Sequence, residues 1–258
     1  MRASLPDGTG RRYDEGTGPR VLVVTAVAAE QNAVASAFRD CSGPPTPVLL
    51  AARTLHRVTA GGVGVDLLAA GVGPAAAAAA TAVALTAATL GGAGYDLVVS
   101  AGIGGGFQPE APLGSLVVAS ELVAAELGAE TADGFVPATE LGFGTVVHRP
   151  DAALVARIAE ATRARTGAVL TVSTVTGTAA RATALRARHP GALAEAMEGF
   201  GVAEAAAVAG CPVVELRAVS NAVGPRDRAQ WRIGDALAAL AAASGRLTSV
   251  FEDLPARR

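Results

Sequence analysis

The stretch Met197-Glu-Gly-Phe-Gly-Val-Ala-Glu-Ala-Ala-Ala-Val-Ala-Gly-Cys-Pro-Val-Val-Glu-Leu-Arg-Ala-Val-Ser-Asn-Ala-Val-Gly-Pro-Arg-Asp227 decides the fold by its order of residue types. Small residues run to a helix stop at Gly210, and Cys211-Pro212 turns the chain. Val213 to Val219 then reads as a buried strand that releases the chain at Ser220-Asn221. A helix feeding a buried strand is the repeating half of an α/β fold, and in open α/β sheets ligands bind outside the carboxyl ends of the strands. Arg217 and Asn221 therefore stand where chemistry is expected. Met197 and Glu198 stand at the helix start, where a carboxylate can accept from two hydroxyls at once, as a ribose 2′,3′-diol presents them.

Outward from this segment the same alternation continues. Val21 to Thr25 is a run of β-branched and apolar residues suited to a strand buried on both faces, and it leads into a helix beginning at Ala26 to Glu30. Glu30 falls in the first helical turn, where the helix's positive end favours a carboxylate. Arg53 to Thr59 and Val63 to Ala70 alternate around Gly61-Gly62 as a hairpin. Gly71-Val72-Gly73-Pro74-Ala75-Ala76 matches the dinucleotide fingerprint formally, but it follows a hairpin, and Asp96 precedes the next strand instead of ending it. Those glycines are read instead as letting a helix approach the sheet. Leu97 to Ser100 is a strand, and Ala101 to Phe107 reads as a Gly-rich loop that lets backbone approach a ligand. Gly114 to Glu121 and Ala124 to Ala129 are further strand pieces ahead of a loop from Asp133 to Gly144. Asp151 to Thr166 is an amphipathic helix, Leu170 to Ser173 a strand, and Gln230 to Leu247 the last helix. The sum is an α/β fold, a three-layer αβα sandwich with a central mixed β-sheet.

Bulk properties narrow the function. With 258 residues, 51% of them hydrophobic, the chain can bury one sizeable core, so residues 20 to 254 are expected to form a single domain. A net charge of −2 without runs of like charge argues against a nucleic-acid or anionic membrane partner and for a small-molecule substrate. Cys41 and Cys211 lie far apart with no partner at metal or redox spacing, which fits a reduced cytoplasm. His56, His148 and His189 have no acidic or Cys neighbour at ligand spacing, so neither a metal nor another cofactor is expected. Residues 1 to 19 are polar and Gly-rich, without the apolar core of a signal peptide, and read as a disordered tail. Residues 75 to 94 are apolar, but Ala, Thr and Gly dominate them; they read as a helix packed closely on the sheet rather than a membrane span.

Met197-Glu198 before a small-residue helix, followed by Arg217-Ala-Val-Ser-Asn221, resembles the nucleoside phosphorylase and nucleosidase superfamily, whose members cleave or transfer the N-glycosidic bond of nucleosides. Ala138-Thr-Glu-Leu-Gly-Phe-Gly144, Thr171-Val-Ser-Thr-Val-Thr-Gly-Thr178 and Ser220-Asn-Ala-Val-Gly-Pro-Arg-Asp227 narrow the similarity to its futalosine-hydrolysing branch. The similarity runs from about Val21 to Phe251. It implies that Glu30, by pattern alone equally an ordinary first-turn residue, activates the attacking water. It implies that Gly102 and Ile103 lie against the substrate, and that Val175 and Thr176 line the base. Met197 would pack beneath the sugar and Glu198 hold its hydroxyls. Phe143 or Leu141 would cover the 5′ tail, across a subunit boundary of a homo-oligomer, a dimer or larger, as in related nucleosidases. Phosphorylases of the superfamily hold phosphate with Arg from the loops after the first strand and at the Gly run; neither Thr25 to Glu30 nor Ala101 to Phe107 contains one, so water is the expected nucleophile. Relatives often place a hydroxyl residue where Ile103 stands, which leaves Glu30 and Arg217 as the expected water ligands.

The chemistry of such a bond requires a base for water and a donor for charge appearing on the departing purine. Asn221 supplies amide donors that match O6 and N7 of a 6-oxopurine, where adenine-specific relatives have Asp. An amide delivers no full proton. Either Asp227 acts through water as general acid, or the Asn221 hydrogen bond suffices. Hydrolysis of futalosine to hypoxanthine is the first reading, and a nucleosidase or phosphorylase for inosine-like or methylthioadenosine-like nucleosides is the alternative.

Overall fold

The computed structural model describes residues 18–38, 45–51 and 53–255. Cys41 and most of the expected tail lie outside them.

The central strands are those whose sequences offer no polar face. β1 (Arg20–Thr25) is buried from Val21 onward, with Val21 and Val23 facing one apolar cluster and Leu22 and Val24 the other. Such two-sided burial requires helices on both faces. On one face lie α1 (Ala28–Ser36), α3 (Ala152–Thr162) and α6 (Ile233–Arg246), through Val34, Ile158 and Leu240. On the other lie α2 (Pro74–Leu90) and α5 (Gly199–Val208), through Ala77, Ala84 and Val202. The expected three layers around a mixed sheet are present. α2 and α5 are rich in Ala, and Gly201 lets α5 lie directly on Pro74 at the start of α2, where any Cβ would strike backbone.

Among the described residues the sheet has ten strands. β1 is flanked in parallel by β4 (Val63–Ala69) and β5 (Leu97–Gly106). β3 (Arg53–Ala60) pairs with β4 as the expected hairpin, and β2 (Thr46–Leu50) forms the edge. On the other side β5 runs parallel to β12 (Val213–Ala222), which is antiparallel to β6 (Leu116–Ala124). β6 continues through β10 (Arg165–Thr171) to β11 (Ala192–Ala196), and β11 returns antiparallel to the end of β5. Half of the sheet thus closes on itself. Closure needs bent strands, and β12 carries a register irregularity between Val219 and Asn221 while β5 is nearly all glycine from Gly102 to Gly106.

Several boundaries differ from the sequence reading. The Gly run is strand, because β5 pairs with β12 as far as Gly106 and with β11 at Gly105 and Gly106. The helix α3 ends at Thr162, since Arg163 takes the left-handed conformation (φ 59°) and β10 starts at Arg165. The segment after β6 forms a hairpin of β7 (Gly128–Thr131) and β8 (Gly134–Pro137). Two-residue β9 (Val147–His148), α4 (Ala179–Arg188) and β11 have no counterpart in the sequence reading; α7 (Thr248–Glu252) ends the described helices.

Candidate active site

The carboxyl end of β1, the middle of β5 and of β12 and the turn after β11 come together, and charged groups collect there. Glu30 is 4% exposed. Its Oε2 accepts from the backbone N–H of Ala26 (2.9 Å) and Val27 (3.2 Å), and its Oε1 from that of Ile103 (2.8 Å). The first two donors are free because a helix start leaves its N–H groups unpaired. Ile103, expected to touch substrate, gives its N–H to Glu30 and packs its partly buried side chain on the core.

Arg217 on β12 is 1% exposed and surrounded by carboxylates. Its Nε donates to Glu215 (2.8 Å), its Nη2 to Ser100 Oγ (3.1 Å), and its Nη1 lies 3.3 Å from Glu198 Oε2. Burial opposes the guanidinium's charge, but Glu215, Glu198 and Glu30 together push its pKa above the ordinary arginine value, so it stays cationic. Glu215 is fully buried, and burial pushes its carboxyl upward against the pull of Arg217. Its carboxylate presses on Gly199 at the start of α5, where a Cβ would collide with it.

Gly102 ties the two halves together. A Cβ there would sit 2.5 Å from Arg217 Nη1 and 2.6 Å from Glu30 Oε1, so both groups lie against the same bare backbone. Glu198, in the turn from β11 into α5, accepts through Oε1 from the Gly73 N–H (3.2 Å). Gly73 has φ 95°, open to glycine alone without strain, and it is this conformation that presents its backbone N–H to the carboxylate. Met197 is half-buried beside it.

Asn221 is half-buried on β12. Its Oδ1 lies 2.9 Å from Ser220 Oγ, and its Nδ2 donates one hydrogen to the Ala222 carbonyl (3.0 Å), leaving the other for a ligand. Thr176 is buried; its N–H donates to Glu195 Oε1 (2.8 Å) and its hydroxyl to Glu195 Oε2, whereas Val175 beside it is 42% exposed. The structure therefore brings Glu30, Gly102, Ile103, Glu198 and Arg217 into one cluster, with Asn221 farther along β12 and Thr176 bound to Glu195 of β11. Two expected residues stand apart. Asp227 is exposed and spends its carboxylate on its own turn, accepting from Ala229 N–H (3.1 Å) and Gln230 Nε2 (2.9 Å). Phe143 is 64% exposed on the turn after β8.

Sequence reasoning missed Glu195, Glu215 and Ser100. For Glu215 a signal existed, because a Glu in the apolar run Val213 to Val219 has to find a buried partner. Glu195 had no such signal, since the strand carrying it was not recognised.

The Phosphorylase superfamily model matches residues 20–254. Futalosine hydrolase of Streptomyces coelicolor is 69% identical over 232 residues, covering 90% of this chain and 96% of that protein. Among solved structures, futalosine hydrolase of Helicobacter pylori superposes with a TM-score of 0.77 at 16% identity, covering 91% of this chain and 99% of that one. A 5′-methylthioadenosine/S-adenosylhomocysteine nucleosidase of Colwellia psychrerythraea, in complex with adenine, superposes with a TM-score of 0.75 at 22% identity over 93% and 98% of the two chains.

Proposed function

The chain belongs to the phosphorylase superfamily and, within it, to the futalosine hydrolases, and on that premise we propose that it hydrolyses the N-glycosidic bond of futalosine to release hypoxanthine, in menaquinone biosynthesis. The observation that carries the mechanism is the convergence of Glu30 Oε1 and Arg217 Nη1 on the open face of Gly102, with Glu198 held by the same guanidinium.

Breaking the C1′–N9 bond builds positive charge on the sugar and negative charge on the purine. Glu30, fixed by three backbone N–H groups, accepts the proton of the attacking water, and Arg217 orients that water from the other side. Glu198 accepts from the ribose hydroxyls, and Met197 packs beneath the ring. The free Nδ2 hydrogen of Asn221 stabilises charge on the departing 6-oxopurine, while Ser220 holds the amide in place. With Asp227 committed to its turn, the hydrogen bond from Asn221 is the form of leaving-group assistance that the geometry supports. The loops that carry phosphate-binding Arg in phosphorylases have none here, which supports water as nucleophile.

We place this activity in the cytoplasm, in a homo-oligomer whose residues 20 to 254 form one nucleosidase domain. Exposed Leu141 and Phe143 supply apolar surface for covering a 5′ tail or meeting a second copy. Among the described residues no helix is long and apolar enough to cross a membrane.

The test is hypoxanthine release from futalosine and from inosine, with and without phosphate, by the native protein and by Glu30→Gln. Release from futalosine, indifferent to phosphate and lowered by about 10²- to 10⁴-fold in the variant, is the expected result. Phosphate-dependent release, or release from inosine alone, would sink the assignment.

A further inference from the structure

Glu215 is a fully buried carboxylate that the mechanism above does not use. It stands on β12 two residues before Arg217, so both side chains leave the strand on one face, while Val214, Leu216 and Ala218 point into an apolar cluster on the other. With 0% of its surface exposed, it is sealed from anything that enters the cleft. Its Oε1 accepts from Arg217 Nε at 2.8 Å, and its Oε2 is a buried oxygen without a hydrogen-bond partner. The carboxylate fits there because the residue after Glu198 is glycine: a Cβ on Gly199 would stand 2.1 Å from Oε2 and 2.3 Å from Oε1. Glu215 is thus wedged between the guanidinium and the backbone that carries Glu198.

Two carboxylates share this guanidinium, and they share it unequally. Glu215 has the short contact of 2.8 Å, whereas Glu198 Oε2 lies 3.3 Å from Arg217 Nη1 and Glu198 Oε1 lies 3.2 Å from the Gly73 N–H. Bonds between charged groups normally run at about 2.7–2.9 Å, so Glu198 is held loosely at both oxygens. Arg217 does not depend on it, since Ser100 Oγ (3.1 Å) and the Ile103 carbonyl (3.4 Å) accept from its remaining N–H groups.

We propose that Glu215 is a positioning residue that keeps Glu198 available to the ribose hydroxyls, by taking up the charge of Arg217 from the sealed side and repelling the second carboxylate. This rests on the reading of the cleft as a nucleosidase site and deepens it. Alone with Arg217, Glu198 would close on the guanidinium, and N–H groups instead of ribose hydroxyls would occupy its lone pairs. A second anion already bound at Nε cancels part of that pull, and the cancellation is strong because these groups are buried in low dielectric. Glu215 stays charged through its partner: burial pushes its carboxyl upward, Arg217 pulls it down, and Glu198 adds to the upward push. The repulsion between the two carboxylates is the force that holds Glu198 off the guanidinium.

The experiment is steady-state release of hypoxanthine from futalosine by the native protein, Glu215→Gln, Glu198→Gln and the double variant, with the inhibition constant of added hypoxanthine and a thermal melt of each. Gln keeps an acceptor for Arg217 Nε and removes the charge. Glu215→Gln is expected to lose about tenfold in kcat/KM while inhibition by hypoxanthine, which has no sugar, stays within about threefold of native. In the Glu198→Gln background the same substitution is expected to cost less than about threefold, because it acts through Glu198. A kcat/KM within about threefold of native in Glu215→Gln overturns the proposal, and so does a loss that is undiminished in the double variant or shared by hypoxanthine inhibition. Each of these leaves the nucleosidase reading intact. If Glu215→Gln does not fold, Gly199→Ala, which displaces the same carboxylate without removing it, replaces it under the same criteria. A native protein that releases no hypoxanthine from futalosine removes the nucleosidase reading, and the role of Glu215 with it.

Discussion

Replacing Gly102 by Ala tests whether the cleft works through the close approach of Glu30 and Arg217. Gly102 has no left-handed backbone to protect, so the new methyl is allowed by the chain and opposed only by its neighbours. It would stand 2.6 Å from Glu30 Oε1 and 2.5 Å from Arg217 Nη1, where ordinary contact begins near 3.4 Å, so each group has to retreat by about 0.8–0.9 Å. Neither is a loose chain end: Glu30 is held by three backbone N–H groups and Arg217 by Glu215, Glu198 and Ser100. Displacing catalytic groups by about 1 Å costs about 10²-fold in rate. Overpacking of this kind costs about 1–3 kcal/mol in stability, which lowers the melting temperature of a chain this size by several degrees and leaves it folded. The assay is kcat and KM for hypoxanthine release, with a thermal melt alongside. Gly191→Ala is the control, because a Cβ there meets nothing within 4 Å. If Gly102→Ala keeps kcat/KM within threefold of the native protein while Gly191→Ala behaves the same way, the geometry assigned to Glu30 and Arg217 is refuted.

Two further outcomes follow from other carboxylates. Glu198→Gln exchanges a charged acceptor for a neutral one beside Arg217 and at the proposed sugar site, so kcat/KM should fall by about 10- to 100-fold, as loss of a charge-assisted hydrogen bond predicts; an unchanged kcat/KM would remove Glu198 from the sugar site. Asp66 is 2% exposed and accepts from Arg57 (2.7 Å), Arg20 (3.0 Å) and the Tyr95 hydroxyl (2.7 Å). Burial pushes its carboxyl upward, but Arg57, Tyr95 and Arg20 outweigh it and hold the pKa below the ordinary 3.8. A lowered carboxylate pKa contributes stability that is present above the ordinary value and lost as pH falls through the lowered one. Asp66→Asn should therefore cost about 3–5 kcal/mol in urea unfolding near neutral pH. The gap between native and variant should narrow as the pH drops below 3.8. A gap that stays constant would show that the ion pairs of Asp66 do not carry that stability.

The sequence by itself determined the layers and the principal chemistry. Val21 to Thr25 and Val213 to Val219 are dominated by β-branched and apolar residues and are buried almost throughout, which sets them in the middle of a covered sheet, and Glu30 and Asn221, just beyond them, fall at the candidate site for that reason. What the tertiary structure alone decided is everything that depends on strands meeting from distant parts of the chain. The glycines from Gly102 to Gly106 look like loop in one dimension. They are strand because β12 and the end of β11 pair with them, and glycine because Arg217, Glu30 and the Glu195 backbone crowd against them, leaving no room for side chains. Ala192 to Ala196 has the composition of a helix and becomes β11 because β10 and the end of β5 offer it hydrogen-bond partners on both edges. That pairing sets Glu195 and Asn221 on either side of Gly105, although they are distant in sequence and no local pattern relates them. Local periodicity records which face of an element is buried, whereas the contacts between elements, and with them the partners of Arg217 and Glu195, arise only when the sheet closes.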